Sequence, residues 1–365
     1  MTDNSSQTVE TVLGPIPISE LGETLTHEHL GSCFYKRNKF LRSPYLNTKC
    51  ISLSNIQALD FDPYHNIYNI NLNDDDAVRN LSFEVSLFKR NRGKTIVNTS
   101  SFYNTDHYTD LFLLRTLSKM TGVNVIVGSV VADSPKSQNS FQEHIYNELK
   151  RSLIEGNRFF TVDESPIIKS AFIGETPCYN YDEAMTMQLT ENEKIFLSMT
   201  GQVQNELHCP VTLYPANNSS LPEEIMRIYQ EAGGDSSKAI MSHVDLAFSK
   251  KQKFMEFVDD TNCYLEFSLF GNPSSLEIGN DILSDAQRIK RIKRLKEEGK
   301  LNRVLMSHDI HTKNRLVSYG GLGLGHISKN ILPLMLKRGI HINDIKIIMI
   351  ENPKNWLSYD QTLKE

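Results

Sequence analysis

Two histidines one residue apart, His27 and His29, are the feature of this chain with the clearest chemical meaning. They end a run over residues 23–30 in which apolar and polar residues alternate. Residues two apart on a β-strand point to the same face. Both imidazoles would then point toward one position, as two ligands of a divalent first-row metal must.

Other candidate metal ligands follow predicted strands elsewhere in the chain. Each stands at the carboxyl end of a short apolar run: Glu175, His243 and Asp309. Any one of them has an ordinary explanation, because a histidine at a strand end is often only hydrogen-bonded and an aspartate there often caps a helix. Five such residues at four strand ends together indicate a metal site, in which one carboxylate could bridge two metals.

The elements that would position these side chains alternate between strand and helix. The predicted strands cover 23–30, 95–99, 123–131, 167–174, 210–214, 238–243, 263–269 and 303–308. A segment with helical periodicity follows each strand. Eight such units favour an α/β fold, a (β/α)8 TIM barrel whose functional residues lie at the carboxyl ends of its strands. An open doubly wound sheet is the alternative, although no Gly-x-Gly-x-x-Gly motif follows the first strand.

The length of 365 residues indicates a single domain over residues 1–365, because it is in the usual range of a (β/α)8 barrel with insertions. With 39% hydrophobic residues the chain can bury a large core. An irregular stretch over 31–70, rich in Asn, Tyr, Phe and Pro, is predicted to be an insertion after strand 1. It would lie over one end of the barrel.

Charge and cysteine content restrict the expected partners and compartment. The net charge of −5 argues against nucleic acid as a partner, because phosphate binding needs a basic surface. The five cysteines are scattered without a Cys-x-x-Cys pair, as is typical of reduced thiols. Neither a signal peptide nor an apolar stretch of about 20 residues is present. We therefore expect a cytoplasmic protein that acts on a small molecule and has no membrane partner.

Beyond these patterns, the sequence resembles the phosphotriesterase-related proteins of the amidohydrolase superfamily. The resemblance runs from about residue 11 to residue 357 and is strongest over 21–30, 173–175, 307–313 and the glycine-rich 320–327. It implies one metal bound by a first histidine pair, a carboxylate after strand 4 and an aspartate after strand 8. In this chain the matching residues are His27, His29, Glu175 and Asp309.

The resemblance also implies a second metal, held by the same carboxylate and by histidines from strands 5 and 6. Strand 6 supplies His243, and the expected metal is zinc or another divalent ion. True phosphotriesterases have a carboxylated lysine in place of Glu175. Lys169 is a poor substitute, since six residues of strand would put it roughly 20 Å away.

Strand 5 departs from the family pattern, because Tyr214 precedes Pro215 where the family has histidine and proline. A phenol ligates a metal only as phenolate, which a nearby metal could promote from a pKa near 10. His208 is at the opposite end of the same predicted strand and cannot replace the missing ligand. We therefore expect one metal site with a full ligand set and a weaker second site.

The expected reaction is hydrolysis. A divalent metal lowers the pKa of water toward neutrality and polarises a carbonyl or phosphoryl group. Asp309 would be the general base. The resemblance implies amide hydrolysis of N-acyl amino acids such as N-acetyltaurine. The alternative, which Tyr214 favours, is a catalytically weakened family member kept as a binding protein.

Residues close to Asp309 have two interpretations each. His308 points to the other face of its strand and is predicted to be structural. Lys313 and Arg315 are candidates to bind an anionic substrate, although exposed cations are common. The glycine-rich segment 320–325 could be a mobile lid or an ordinary loop.

Overall fold

Eight parallel strands form one sheet, and each strand pairs with its neighbours in the order of the sequence. In chain order they are β1 (Glu23–Glu28), β2 (Gly93–Asn98), β3 (Asn124–Ser129), β4 (Phe172–Thr176), β5 (Val211–Leu213), β6 (Ala239–Met241), β7 (Tyr264–Phe267) and β8 (Val304–Met306). An open doubly wound sheet would reverse its strand order at a switch point, and this sheet does not. The predicted barrel is therefore confirmed.

The computed structural model describes residues 7–31, 51, 63, 67–70, 72, 75–99, 107–129, 131, 138–158, 166–176, 188–215, 218–272 and 282–359. Most of the predicted insertion over 31–70 lies outside the described residues. Its last described part, α1 (Ile67–Ile70), packs beside the turn Lys313–Arg315 that follows β8. Asn69 exchanges hydrogen bonds with Asn314 there, through the Asn314 amide at 2.8 Å and the Asn314 side chain at 3.1 Å.

Helices surround the sheet. In chain order the others are α2 (Asp75–Arg90), α3 (His107–Thr121), α4 (Gln138–Ile154), α5 (Glu191–Leu207), α6 (Leu221–Glu231), α7 (Val244–Ala247), α8 (Lys251–Asp260), α9 (Asp285–Glu297), α10 (Leu332–Lys337), α11 (Ile342–Lys346) and α12 (Asn352–Leu357). Two π-helical turns, Ile327–Ile331 and Ile347–Glu351, directly precede α10 and α12. None of the described helices combines the length and apolar character needed to cross a membrane.

Alternate residues of the strands face two separate cores. One set packs outward against the helices, and the other forms a smaller apolar cluster inside the barrel. The inner cluster includes Val97, Ile126, Phe172, Ile240 and Leu305. The hairpin of Thr8–Thr11 and Gly14–Pro17, which the sequence did not lead us to expect, and α12 also contribute to it. This apolar layer closes the barrel below the strand ends where the candidate ligands lie.

The fourth predicted strand is wrong in its first half. Ile167–Ile168 pairs antiparallel with Asn157–Arg158 in a separate small hairpin. The chain then bends where the Ser170 amide donates to the Ser152 carbonyl and the Ser170 hydroxyl donates to the Gly128 carbonyl. The barrel strand itself begins at Phe172, so Glu175 lies within β4 and not after it.

The edge strands β1 and β8 are joined mainly by one side chain, the buried carboxylate of Glu28. It accepts hydrogen bonds from the Ser307 hydroxyl at 2.8 Å, the His308 amide at 2.9 Å, His308 Nδ1 at 2.8 Å and the Ile310 amide at 2.9 Å. Backbone bonds from Asp309 to His27 and from His29 to Ile310 also cross the seam, as does a bond of 2.9 Å from the His27 amide to the Ser307 hydroxyl. The hydrogen bonds to Glu28 therefore join β1 to β8, as backbone hydrogen bonds join the other neighbouring strands.

Replacing Glu28 by Gln should lower the free energy of unfolding by about 3 kcal/mol, because an amide cannot accept all four bonds and buried donors would lose their partners. Urea denaturation followed by circular dichroism measures the change. Glu256→Gln, at an exposed position on α8, is the matched control and should change stability by less than about 0.5 kcal/mol. Equal effects of the two substitutions would contradict the role given to Glu28.

Candidate metal centre

The five candidate ligands lie together at the carboxyl ends of four strands. His27 lies in β1, His29 directly after it, and Glu175 in β4. His243 and Asp309 stand in the turns that follow β6 and β8. Their polar atoms meet at one point of the barrel mouth, although the residues are as many as 282 positions apart in the chain (309 − 27).

The distances between ligand atoms suit a metal. His27 Nε2 lies 3.4 Å from Glu175 Oε1 and 3.9 Å from Asp309 Oδ1. His29 Nε2 lies 3.1 Å from Asp309 Oδ1. His243 Nε2 is 3.6 Å from Glu175 Oε1 and 4.0 Å from Asp309 Oδ2. Metal–ligand bonds of about 2.0–2.2 Å separate neighbouring ligand atoms by roughly 3–4 Å.

The two nitrogens of His27 have different environments. Its Nδ1 lies 2.9 Å from Oε2 of Glu266, a fully buried carboxylate on β7. Its Nε2 is buried and has no hydrogen-bond partner among the described residues. A proton on Nδ1, held by the carboxylate, leaves the Nε2 lone pair facing Glu175 and Asp309. A carboxylate–histidine pair of this kind is typical behind a metal ligand, so the residues present fit a divalent metal.

The candidate ligands form two overlapping groups of three, and both groups include His27. Within each group, the ligand atoms all lie within 4.8 Å of one another. One group adds His243 and Asp309, and the other adds His29 and Glu175. The sequence-based division into a full first site and a weak second site stays a prediction. The structure brings all five side chains to one end of the barrel, with His27 common to both groups.

The electrostatics of the site favour positive charge. Burial lowers the pKa of an imidazole, but the carboxylates of Glu175, Glu266 and Asp309 outweigh burial and raise the pKa of His27 to about 9. Burial raises the pKa of a carboxyl, yet the imidazoles of His27 and His243 lower the pKa of Glu175 to about 2. The Glu175 carboxylate thus stays ionised and needs a cation beside it. A divalent metal would supply that charge in place of the imidazole proton.

Two of the candidate ligands have left-handed backbone conformations. His243 has a φ of 49° and Asp309 a φ of 53°. This conformation is costly for residues other than glycine and occurs often at functional sites. The His243 amide donates to the Ser268 hydroxyl at 3.1 Å, which helps to hold its turn. The turn after each strand thereby places the side chain over the barrel mouth.

Tyr214 lies beside His243, directly after β5. The two rings meet edge to face with their centroids 5.1 Å apart, and the Tyr214 amide donates to the Thr176 carbonyl at 2.8 Å. The side chain is half-buried. The tyrosine therefore packs against a candidate ligand at the position where the family pattern has a histidine.

Several residues around the site were not assigned a role from the sequence, among them Glu28, Glu266 and His311. Glu266 has a recognisable signal, because it is a lone carboxylate in an otherwise apolar strand. His311 lies with Nδ1 2.9 Å from the Asp309 carbonyl and 3.1 Å from Asp309 Oδ1. His308 is structural as predicted, since its Nδ1 bonds to Glu28 and its Nε2 accepts from the Ile327 amide at 3.1 Å.

Arg315 does not face a substrate, contrary to one of its two interpretations. Its guanidinium is buried and donates to the carbonyls of Asp309 at 2.6 Å, His308 at 2.7 Å and Phe270 at 3.2 Å. Lys313 is also buried. Arg315 therefore holds the left-handed turn that carries Asp309.

Hydrogen bonds hold the second half of the glycine-rich segment and the turn that precedes it. The Gly323 amide donates to the Arg315 carbonyl at 3.0 Å. The buried carboxylate of Glu84, on α2, accepts from the amides of Val317 and Leu324. Side chains are excluded at Gly321, where a Cβ atom would lie 2.1 Å from the Arg315 backbone. These contacts favour an ordered loop over a mobile lid.

Comparison with known proteins gives one consistent result. The sequence model of the phosphotriesterase family matches residues 7–357. A phosphotriesterase-related protein of Drosophila persimilis is 36% identical over 364 residues, covering 96% of this chain and 99% of that protein. The N-acetyltaurine hydrolase of Xenopus tropicalis is 36% identical over 357 residues, covering 96% of this chain and 98% of that protein.

The fold is shared with a solved structure of lower sequence similarity. A crystal structure of a resiniferatoxin-binding protein from Rhodobacter sphaeroides superimposes with a TM-score of 0.79 at 24% identity. The match covers 96% of this chain and 95% of that one. At this level of identity the likeness supports the barrel fold alone.

Replacing Arg315 by Met should lower the free energy of unfolding by about 2–3 kcal/mol, because three buried carbonyls would lose a charged donor. Thermal or urea unfolding measures this loss. Arg338→Met is the control, since Arg338 is exposed and donates to the Ala286 carbonyl at 3.1 Å. An Arg315→Met protein as stable as the control would contradict the structural role of Arg315.

Proposed function

The chain belongs to the phosphotriesterase family, and on that premise we propose that it is a metal-dependent hydrolase of small N-acyl amino acids. The relative named N-acetyltaurine hydrolase supports an amide substrate of this class, because its 36% identity extends over nearly the whole of both chains. Zinc is the metal we propose, since imidazole and carboxylate ligands suit it.

One observation carries this proposal. His27 Nε2 is buried without a hydrogen-bond partner among the described residues and lies within 4 Å of two carboxylates. An imidazole nitrogen in such a place is costly unless something coordinates it. The residues that would hold the metal are His27, His29, Glu175, His243 and Asp309. When bound, a divalent metal supplies Lewis acidity that lowers the pKa of water and polarises the scissile carbonyl.

Asp309 is the proposed general base. Its Oδ1 lies 3.1 Å from both His29 Nε2 and His311 Nδ1, whereas its Oδ2 lies 4.0 Å from His243 Nε2. Oδ2 is therefore the oxygen better placed to accept a proton from the attacking water. The same carboxyl can then return the proton to the amine that leaves. His311 and Arg315 orient Asp309 for this transfer.

Chelation should remove the activity reversibly. We expect the purified protein to hydrolyse at least one member of a panel of N-acetyltaurine, N-acetyl amino acids and their ester analogues. Loss of the metal should lower the rate by at least about 100-fold, and added zinc or manganese should restore it.

Asp309→Asn should lower kcat by about 10²–10⁴-fold, because it removes the base.

The outcomes of this experiment separate the hydrolase from a binding protein. Metal analysis should find bound metal in the wild-type protein, and saturating metal should raise the free energy of unfolding by about 2.7 kcal/mol at 100 times its Kd. Bound metal without turnover on any substrate of the panel would favour a binding role. A protein with neither metal nor turnover, even with zinc or manganese added, would overturn the proposal.

Replacing Tyr214 by His should raise the metal content from about one to about two ions per chain, because it restores an imidazole beside His243. Metal analysis of the purified variant measures the change. Tyr214→Phe is the matched control, since it keeps the ring against His243 and removes only the hydroxyl. If Tyr214→Phe loses metal, the phenol oxygen is itself a ligand and the expectation of a single imidazole-and-carboxylate site is wrong.

A further inference from the structure

We infer that Glu266 and Ser268, two side chains at the end of one strand, are a positioning pair that orients the His27 ring and holds the backbone of His243. The inference rests on the proposed metal site but goes beyond its ligands. Glu266 lies in β7 and Ser268 directly follows that strand. Neither residue is a candidate ligand, and both are fully buried. Their two-residue spacing puts them on the same face of the strand.

Glu266 acts on the His27 side chain. The bond of 2.9 Å between Glu266 Oε2 and His27 Nδ1 selects one tautomer and fixes the ring plane. The second carboxylate oxygen, Oε1, is buried and has no hydrogen-bond partner in the described part of the chain. A buried carboxylate with only one satisfied oxygen stabilises a fold poorly. Its geometry instead suits support of a metal ligand, which typically changes metal affinity by about 10–100-fold.

Ser268 extends the same support to His243. Its hydroxyl donates to Glu266 Oε2 at 3.2 Å and accepts from the His243 amide at 3.1 Å. The hydroxyl thus donates its single proton to the Glu266 carboxylate, and one of its lone pairs accepts from the backbone amide of His243. His27 of β1 and His243 in the turn after β6 are in this way connected through Glu266 of β7 and Ser268 directly after it.

A buried ion pair holds Ser268 in place. The carboxylate of Asp245 accepts from the amides of Ser268 at 3.2 Å and Leu269 at 3.0 Å. Asp245 is also bonded to Arg288 Nε at 2.6 Å, and both of these side chains are buried. Asp245 therefore fixes the backbone of the positioning pair. A series of hydrogen bonds therefore connects His243 through Ser268 and Asp245 to Arg288 on α9.

The decisive experiment compares metal affinity with stability. Zinc affinity is measured by competition with a chromophoric chelator, and stability by urea unfolding of the metal-free protein. Glu266→Leu keeps the volume and removes the carboxylate, so we expect zinc to bind about 10–100-fold more weakly. Glu266→Gln keeps an oxygen that can accept from Nδ1, so its loss of affinity should be smaller. Glu84→Gln is the matched control, because it alters another fully buried carboxylate that contacts no candidate ligand among the described residues.

Ser268→Ala provides a second, independent variant if the Glu266 variants do not fold. Loss of one hydroxyl should weaken zinc binding about two- to tenfold. The double variant Ser268→Ala with Glu266→Gln should lose less than the product of the two single effects, because the residues act through one contact. Long-range ¹H–¹⁵N spectra of the zinc-loaded protein should show His27 protonated at Nδ1, and a mixture of tautomers in Glu266→Leu.

The possible results separate the positioning pair from the proposed function. If the wild-type protein binds zinc but the Glu266 and Ser268 variants bind it equally well, the positioning pair is overturned and the metal site stands. The positioning pair is also overturned if Glu84→Gln weakens zinc binding as much as Glu266→Gln does. If the wild-type protein binds neither zinc nor manganese and hydrolyses no substrate of the panel, the proposed function itself fails.

Discussion

The closure of the barrel by Glu28 is the constraint on which the rest of the site depends. A barrel of parallel strands has one seam where its first and last strands must meet, and here a carboxylate supplies most of the bonds across it. Glu28 stands between His27 and His29, so three consecutive residues provide two candidate ligands and the clamp. The same clamp holds the amides beside Asp309, which brings a third ligand within 4 Å of the first two.

Buried charge determines which residues surround the candidate ligands. Ionised carboxylates inside a protein require partners, since desolvation would otherwise neutralise them. In this barrel the partners are imidazoles, backbone amides and the buried guanidinium group of Arg288. At the candidate metal position the partners of the carboxylates are imidazoles. There, the pKa of His27 rises to about 9.

The strand ends were predictable because local periodicity carries the information. Alternation over 23–30 and the apolar runs before Glu175, His243 and Asp309 place each residue at the end of a strand. Parallel strands in a barrel bring those ends together at one face. The first half of the fourth strand was not predictable in this way. Ile167 and Ile168 have high strand propensity in either position. They lie in a hairpin outside the barrel because they pair with the Asn157–Arg158 segment.

The sequence by itself determined the barrel and the five side chains of the candidate site, because these follow from patterns within short segments. Only the tertiary structure decided what supports them. Glu266 meets His27 across 239 positions of the chain, and Arg315 bonds to carbonyls on two separate strand ends. Such contacts depend on how strands tilt and on which face each residue takes in the closed barrel. The seam, the positioning pair and the turn under Asp309 therefore become visible only once the first and last strands are joined.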